Sequence, residues 1–369
     1  MYRLIRVLSW GIAFFCSLNV FVHITRLSFT KKLASKGRLW SYVVALPFSA
    51  LNLYFMKDVF TTVWICLLHV SLILTVFDIV YLVIRLFGRD TRVIRVFRRL
   101  TGWGLAFLLS AAIIAYGLIN VGIVRKTEYT LYNPNVKGEI TIGLVSDLHL
   151  GTAMNEDKFI AVIDEMLLGG ADMIVLAGDM TDERTDPDAF YRLMDMLSTR
   201  RALKGMYFVF GNHDGSRYGG RLSAQNMEKA LTNAGITVLT DESIFLDGWL
   251  RICGRRDVNE RNRMKPGDLL AEADPENEFI VLIDHQPAQT DASAQAGTDL
   301  LLSGHTHNGQ IWPIGPISKL AGFNEIEYGH EKIGDMDAVV SSGVAGWGCA
   351  FRTGGISEYV LITVTGDGV

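Results

Sequence analysis

A chain of 369 residues is long enough for more than one structural unit, and its mean hydropathy of +0.25 is high for a soluble protein. The overall charge of −4 hides a division, because residues 1–126 carry 16 Lys+Arg against 3 Asp+Glu and residues 127–369 carry 19 against 36. The acidic back argues against nucleic acid as a partner. Four cysteines without a Cys-x-x-Cys pair argue against a zinc knuckle and leave the redox compartment open.

Residues 1–126 hold four apolar stretches, at 7–25, 40–56, 59–87 and 102–124, which read as an all-α transmembrane region. The first starts with Arg3 and Arg6 but shows no small-residue cleavage site, so it reads as a retained helix rather than a signal peptide. The second is short and contains Pro47. Eleven Lys and Arg lie in the first and third connections, including Arg26, Lys31, Lys32, Arg85, Arg89 and Arg92, against five on the other face. Positive connections stay in the cytoplasm, so the expectation is a multi-pass protein of the cell membrane with residues beyond 126 on the extracytoplasmic side. Asp78 and His69 fall inside the third stretch, nine residues apart and therefore on opposite faces of one helix. They suit separate partners better than one relay site, so an anchor is favoured over a transporter. The run Arg92, Arg95, Arg98 and Arg99 among Val93, Ile94, Val96 and Phe97 suits a membrane surface.

Residues 127–138 read as a linker or an edge strand, and an alternation of strands and helices follows over 139–369. Strands are expected near 139–146, 172–178, 206–210, 236–254, 279–284, 299–303, 338–342 and 357–365. Helices are expected near 156–168, capped by Asn155, and near 187–198 and 223–234. Continuous apolar runs of this kind read as buried strands of an α/β sheet.

Five clusters follow the strand ends: Asp147-x-His149, Gly178-Asp179, Gly211-Asn212-His213-Asp214, His285, and Gly304-His305-x-His307. Strand ends are where such sheets bind ligands. His305 and His307 alternate and can share one centre only if Gly304 breaks the strand. Singly each cluster is commonplace. Together they supply carboxylate, imidazole and amide donors without thiolate, a set that suits manganese, iron, zinc or cobalt better than calcium. Phosphate ester hydrolysis needs a nucleophile at neutral pH and cancellation of phosphoryl charge, and a pair of cations supplies both.

These five motifs, in this order, resemble the signature of the calcineurin-like metallophosphoesterase superfamily, over about residues 139–365. The Gly-His-Thr-His-Asn-Gly-Gln form at 304–310 resembles a bacterial branch that often carries an amino-terminal membrane segment. The resemblance implies a four-layer α/β sandwich and two divalent metal ions (Mn, Fe or Zn). It implies that Asp147, His149, Asp179 and His307 hold one metal, and that Asp179 bridges to the other, held also by Asn212, His285 and His305. A metal-bridging hydroxide is then the nucleophile, and His213, paired with Asp182, protonates the leaving oxygen. The expected substrate is a phosphomonoester or phosphodiester, some of that branch acting on lipid-linked ones. Protein phosphatases of the superfamily have Gly-Asn-His-Glu and an Arg soon after the Gly-Asp motif. Here Asp214 and an intervening Glu183 argue against that activity. The competing class is a metal-binding membrane receptor or scaffold without catalysis.

Three further expectations are open to test. Asp284, Asn308 and Gln310 are candidates to orient the histidines. Trp347, Phe351 and Arg352, in the Gly-rich stretch 343–355, either contact substrate or pack on the sheet. The charged loop 255–268 reads as solvated rather than as a cap over the site.

Overall fold

The computed structural model describes residues 2–27, 30, 32, 35, 37–55, 62–87, 92, 96, 103–215 and 220–367. The chain divides into two compact units, Met1–Tyr116 and Gly117–Val369. The boundary therefore falls within the fourth helix, ahead of the expected break after residue 126.

The first unit contains α1 (Tyr2–Thr25), α2 (Arg38–Phe55), α3 (Thr62–Phe87) and most of α4 (Trp103–Asn120). Each helix lies on one of the four apolar stretches. Among the described residues one segment, Ile65–Leu86, is long and apolar enough to cross a membrane, whereas Trp10–Thr25, Leu39–Leu51 and Gly104–Asn120 are apolar but shorter. Asp78 does pair with another helix: His23 Nε2 on α1 lies 3.1 Å from its Oδ2 and Arg26 Nη1 lies 3.4 Å away. One turn earlier, Asn19 donates to Thr75 Oγ1 at 2.9 Å, so the two helices are joined by a polar seam. His69 faces its own helix, with Nδ1 2.7 Å from Ile65 O. Most of the basic run at 92–99 lies outside the described residues.

The second unit is an α/β sandwich of four layers. Its first sheet has the order β1-β12-β2-β3-β4-β5, from β1 (Val124–Tyr132), β12 (Ser357–Thr365), β2 (Glu139–Val145), β3 (Met173–Leu176), β4 (Met206–Phe208) and β5 (Thr237–Val238). The second has the order β10-β11-β9-β8-β7-β6, from β10 (Gly329–Ile333), β11 (Met336–Val340), β9 (Leu300–Ser303), β8 (Phe279–Ile283), β7 (Leu250–Gly254) and β6 (Glu242–Leu246). β2 to β5 run parallel, as do β7, β8, β9 and β11. Parallel strands are covered on both faces, which is why β3 and β8 are apolar from end to end.

Ile140, Ile142, Leu144 and Val175 of the first sheet share a core with Ile252, Val281, Ile283 and Leu302 of the second. Outside the first sheet, α5 (Glu156–Leu168), α6 (Pro187–Leu197) and α7 (Ala224–Asn233) bury Phe159, Ile163, Phe190, Leu193, Met227 and Leu231. Outside the second sheet, α8 (Pro266–Leu269) and α9 (Thr290–Gln295) cover a smaller core around Leu269, Ile280, Leu282 and Leu301. Each of these aliphatic and aromatic side chains contributes roughly 1.5–3 kcal/mol by leaving water. The three large helices start where capping residues stop the preceding loops: Asn155, Asp186 and Ser223 each accept from a backbone N–H of the first turn.

β10, α8, α9 and α10 (Ile314–Ala321) were not expected from the sequence. The loop read as solvated is mostly exposed, as expected, but Arg255, Asp257 and Pro266 within it are buried. Arg255 and Arg263 both pair with the buried Asp284, Arg255 at 3.0 Å, so a carboxylate under the second sheet drew the charges inward.

Candidate metal centre

The five motifs sit at the carboxyl ends of parallel strands: Asp147 after β2, Asp179 after β3, Asn212 after β4, His285 after β8 and His305 after β9. The two sheets meet there through Ala177 O, which accepts from His285 Nδ1 at 2.8 Å. β9 ends at Ser303, and the chain leaves the strand at Gly304. His305 and His307 then diverge into different groups of ligands.

Asp147, His149 and His307 form one group and Asp179, His285 and His305 a second, the donor atoms of each lying within 4.8 Å of one another. In the first, His307 Nε2 is 3.3 Å from His149 Nε2 and 3.5 Å from Asp147 Oδ1. In the second, His285 Nε2 is 3.1 Å from Asp179 Oδ2. Asp179 Oδ2 is also 3.8 Å from His149 Nε2, so this carboxylate faces both groups. Asn212 lies between Gly211 and His213, and His213 N donates to Asp179 Oδ1 at 2.8 Å.

These residues fit a pair of cations. The donors are nitrogen and oxygen throughout. His285 Nδ1 is committed to Ala177 O, which leaves Nε2 as the lone-pair nitrogen. That buried Nε2 has no partner besides the Asp179 carboxylate, 3.1 Å away, so the two atoms converge on one place. Asp147, His149, Asp179, His305 and His307 all have positive φ, between 41° and 73°. Non-glycine residues hold this left-handed backbone at a cost of order 1–3 kcal/mol each, and such strain gathers at functional sites.

Burial sets the protonation of the centre. It pushes His149 and His305 down to about 4, so both rings are neutral at physiological pH. Burial raises Asp147 to about 6. Burial opposes charge on His285 and Asp179 too, but each overcomes that cost for the other. His285 stays well above its ordinary value and Asp179 below its own.

Several neighbours differ from expectation. Asp182 does not partner His213. Its Oδ1 accepts from Arg184 N at 2.7 Å and its Oδ2 from Thr152 Oγ1 at 3.2 Å, which turns it toward His149 Nδ1, 3.8 Å away. Glu183 takes its place, with Oε1 3.2 Å from His213 Nδ1. Asp284 is held by Arg255 and Arg263, and Gln310 pins the loop at 347–351 through Trp347 N and O and Phe351 O, so neither orients a histidine. Asn308 Nδ2 lies against Gly355. Arg352 and Phe351 are buried. The Arg352 guanidinium donates to the carbonyls of His307, Ser342, Ala345 and Ile356, at 2.7–3.1 Å. Trp347 approaches the centre through its ring, 5.1 Å from that of His213.

Two groups had no role in the site assigned from the sequence. Asp214 accepts from the backbone N–H groups of Asp179, Thr181 and Gly211 at 2.7–3.0 Å, clamping two motif loops together. Gln286 Nε2 donates to Asp257 Oδ2 at 2.8 Å and approaches Asn212 Oδ1 at 3.4 Å. The signal for both was adjacency to a ligand within a motif.

Residues 140–309 match the profile of the family described as calcineurin-like phosphoesterase. The second unit carries a calcineurin-like phosphoesterase domain. This calcineurin-like domain is accordingly a metal-dependent phosphoesterase. An uncharacterized metallophosphoesterase of Campylobacter jejuni is 27% identical over 310 residues, covering 82% of this chain and 79% of its own. An uncharacterized metallophosphoesterase of Helicobacter pylori is 29% identical over 61% of this chain and 60% of its own length. A Bos taurus protein named as a transmembrane protein with metallophosphoesterase domain is 28% identical over 69% of this chain and 60% of its own. The match to the Campylobacter protein is longer than the whole second unit, so it reaches beyond the calcineurin-like domain into the helical one.

Proposed function

We propose that this chain is a membrane-anchored phosphoesterase that hydrolyses a phosphomonoester or phosphodiester of a lipid or envelope component at a centre of two divalent cations. Asp147, His149, Asp179 and His307 would hold one cation, and Asp179, Asn212, His285 and His305 the other. The observation that carries this reading is the position of the Asp179 carboxylate, 3.1 Å from His285 Nε2 and 3.8 Å from His149 Nε2. When bound, the cation pair acidifies water and neutralises phosphoryl charge. The chain's own residues align and complete the reaction. His213 stands beside the ligands, its ring 5.3 Å from that of His149. With Nδ1 facing Glu183, His213 has Nε2 left to give a proton to the leaving oxygen. Trp347 forms a wall beside it and narrows the approach to the phosphorus.

Anchoring is supported by the segment Ile65–Leu86, long and apolar enough to cross a membrane, and by the name of the Bos taurus relative. The excess of Lys and Arg in the first and third connections supports an extracytoplasmic domain. The test is hydrolysis of bis-p-nitrophenyl phosphate by the full chain in detergent. Turnover should need added Mn, vanish on chelation and be lost in Asp179→Asn. Full activity in chelator would overturn the reading. Incubation with lipid extracts then identifies the substrate class.

A further inference from the structure

Helix α10 is built inside out for a soluble domain. Its small residues Gly315 and Ser318 are buried, and Ser318 Oγ donates to Glu327 Oε2 at 2.7 Å beneath it. Its apolar residues face outward: Ile314 is 47% exposed, Ile317 50% and Leu320 92%, with Trp312 just ahead at 51%. Spacing by three puts Ile314, Ile317 and Leu320 on one stripe, the stripe that a water-facing helix fills with polar groups. From Asn308 to Asn324 there is no acidic residue and one cation, Lys319, although residues 127–369 as a whole carry a net −17. This stretch would meet an anionic surface without repulsion.

The place of this helix in the fold says which surface. The chain passes from the apolar helical unit into the second unit at Gly117, and the last turn of α4 seats on the loop at 352–355. Arg352 N donates to Gly117 O at 3.0 Å, and Asn120 Nδ2 donates to Arg352 O and Gly355 O at 3.2 and 3.1 Å. The same loop holds the start of the inverted helix: Trp312 N donates to Thr353 Oγ1 at 3.1 Å, and Gly354 N to Gln310 O at 2.8 Å. Leu118 and Ile119, beside the seat, are themselves 52% and 63% exposed. One short loop thus joins the point where an apolar helix arrives and a second apolar stripe. Through Arg352 and the His307 carbonyl it also joins a candidate metal ligand.

We infer that Trp312 and the Ile314–Ile317–Leu320 stripe dock into the surface of a phospholipid bilayer and hold the metal centre against lipid-borne phosphoesters. This deepens the proposed function and rests on its anchoring half. An amphipathic segment with aromatic and aliphatic groups on one side and Lys at the margin lies in the headgroup boundary in this way. Docking also explains why the stripe is exposed in a domain that buries its other apolar runs.

The full chain is reconstituted into vesicles of phosphatidylethanolamine and phosphatidylglycerol, and a nitrobenzoxadiazole label is attached through Leu320→Cys or through Leu203→Cys. Leu203 is the control, an apolar residue 84% exposed in a turn between α6 and β4. Nitroxide-bearing lipid should quench the label at 320 at least threefold more than the label at 203. Equal quenching overturns the inference. A label at 320 already shielded in lipid-free detergent also overturns it, because a protein surface then covers the stripe. Failure of the chain to float with the vesicles overturns docking and anchoring together. Hydrolysis of bis-p-nitrophenyl phosphate by the same samples reports the phosphoesterase reading separately, so loss of hydrolysis with quenching intact removes the enzyme and keeps the docking.

Discussion

Asp179 has a left-handed backbone, φ 54°, and its carboxylate is closed in by glycine. A β-carbon on Gly211 would lie 2.1 Å from Asp179 Oδ1 and 2.5 Å from Asp179 N. No rotation of one side chain relieves both contacts, because the second is backbone. Gly211→Ala should therefore move the carboxylate that faces both ligand groups, and lower cation content and turnover together, turnover by about 100-fold. Metal analysis beside hydrolysis of bis-p-nitrophenyl phosphate checks it, and normal values for both would contradict the geometry. His213→Ala should behave differently. Its ring pairs with Glu183 rather than closing either ligand group, so turnover should fall by roughly 10²–10⁴ while cation content holds. The Gly-Asp and Gly-Asn-His motifs were legible because close backbone approach demands glycine at fixed places. The partner of His213 was not legible. Asp182 and Glu183 are adjacent in a turn, and Thr152 and Arg184 N decide which carboxylate faces which ring.

At the scale of elements, the strands were legible and the loops were not. Parallel strands buried on both faces write themselves as unbroken apolar runs, as β3 and β8 do. The edge strand β10, with three exposed residues of five, writes no such run, and α8 has four residues, too few for a period. The loop at 343–355 depends on long-range bonds that no local pattern announces. Arg352 holds it, donating to four carbonyls from a fully buried position. Arg352→Met keeps the length and removes every donor. Stranding several buried carbonyls costs about 3 kcal/mol or more, and in a domain of this size that lowers Tm by roughly 6–12 °C. Calorimetry on the full chain in detergent checks this. The same change should weaken cation binding, since the His307 carbonyl loses its donor. A Tm within a degree of the parent would show that the loop holds itself.

At the scale of the whole molecule, the division of charge was plain in the sequence, and it bears on what the cations do for stability. The second unit is acidic, and its centre buries Asp147 and Asp179 at one strand-end edge, with Asp214 half-buried beside them. Without cations the carboxylates of the centre lean on His285, which burial would discharge but Asp179 and Asp147 keep protonated. Cation binding must displace that proton. A ligand that binds only the folded state adds about 2.7 kcal/mol when present at 100 times its Kd, so chelation should lower the Tm of the second unit by several degrees at neutral pH. The sign of the pH dependence follows from His285. Its pKa is raised above 6.5, so below that value protons compete fully with cations, and the competition weakens as pH climbs through the raised value. The gap in Tm between Mn-loaded and chelated protein should therefore widen from pH 6 toward pH 8.5. A gap that narrows over this range, or no gap at any pH, would mean that the strand-end ligands balance one another without an ion.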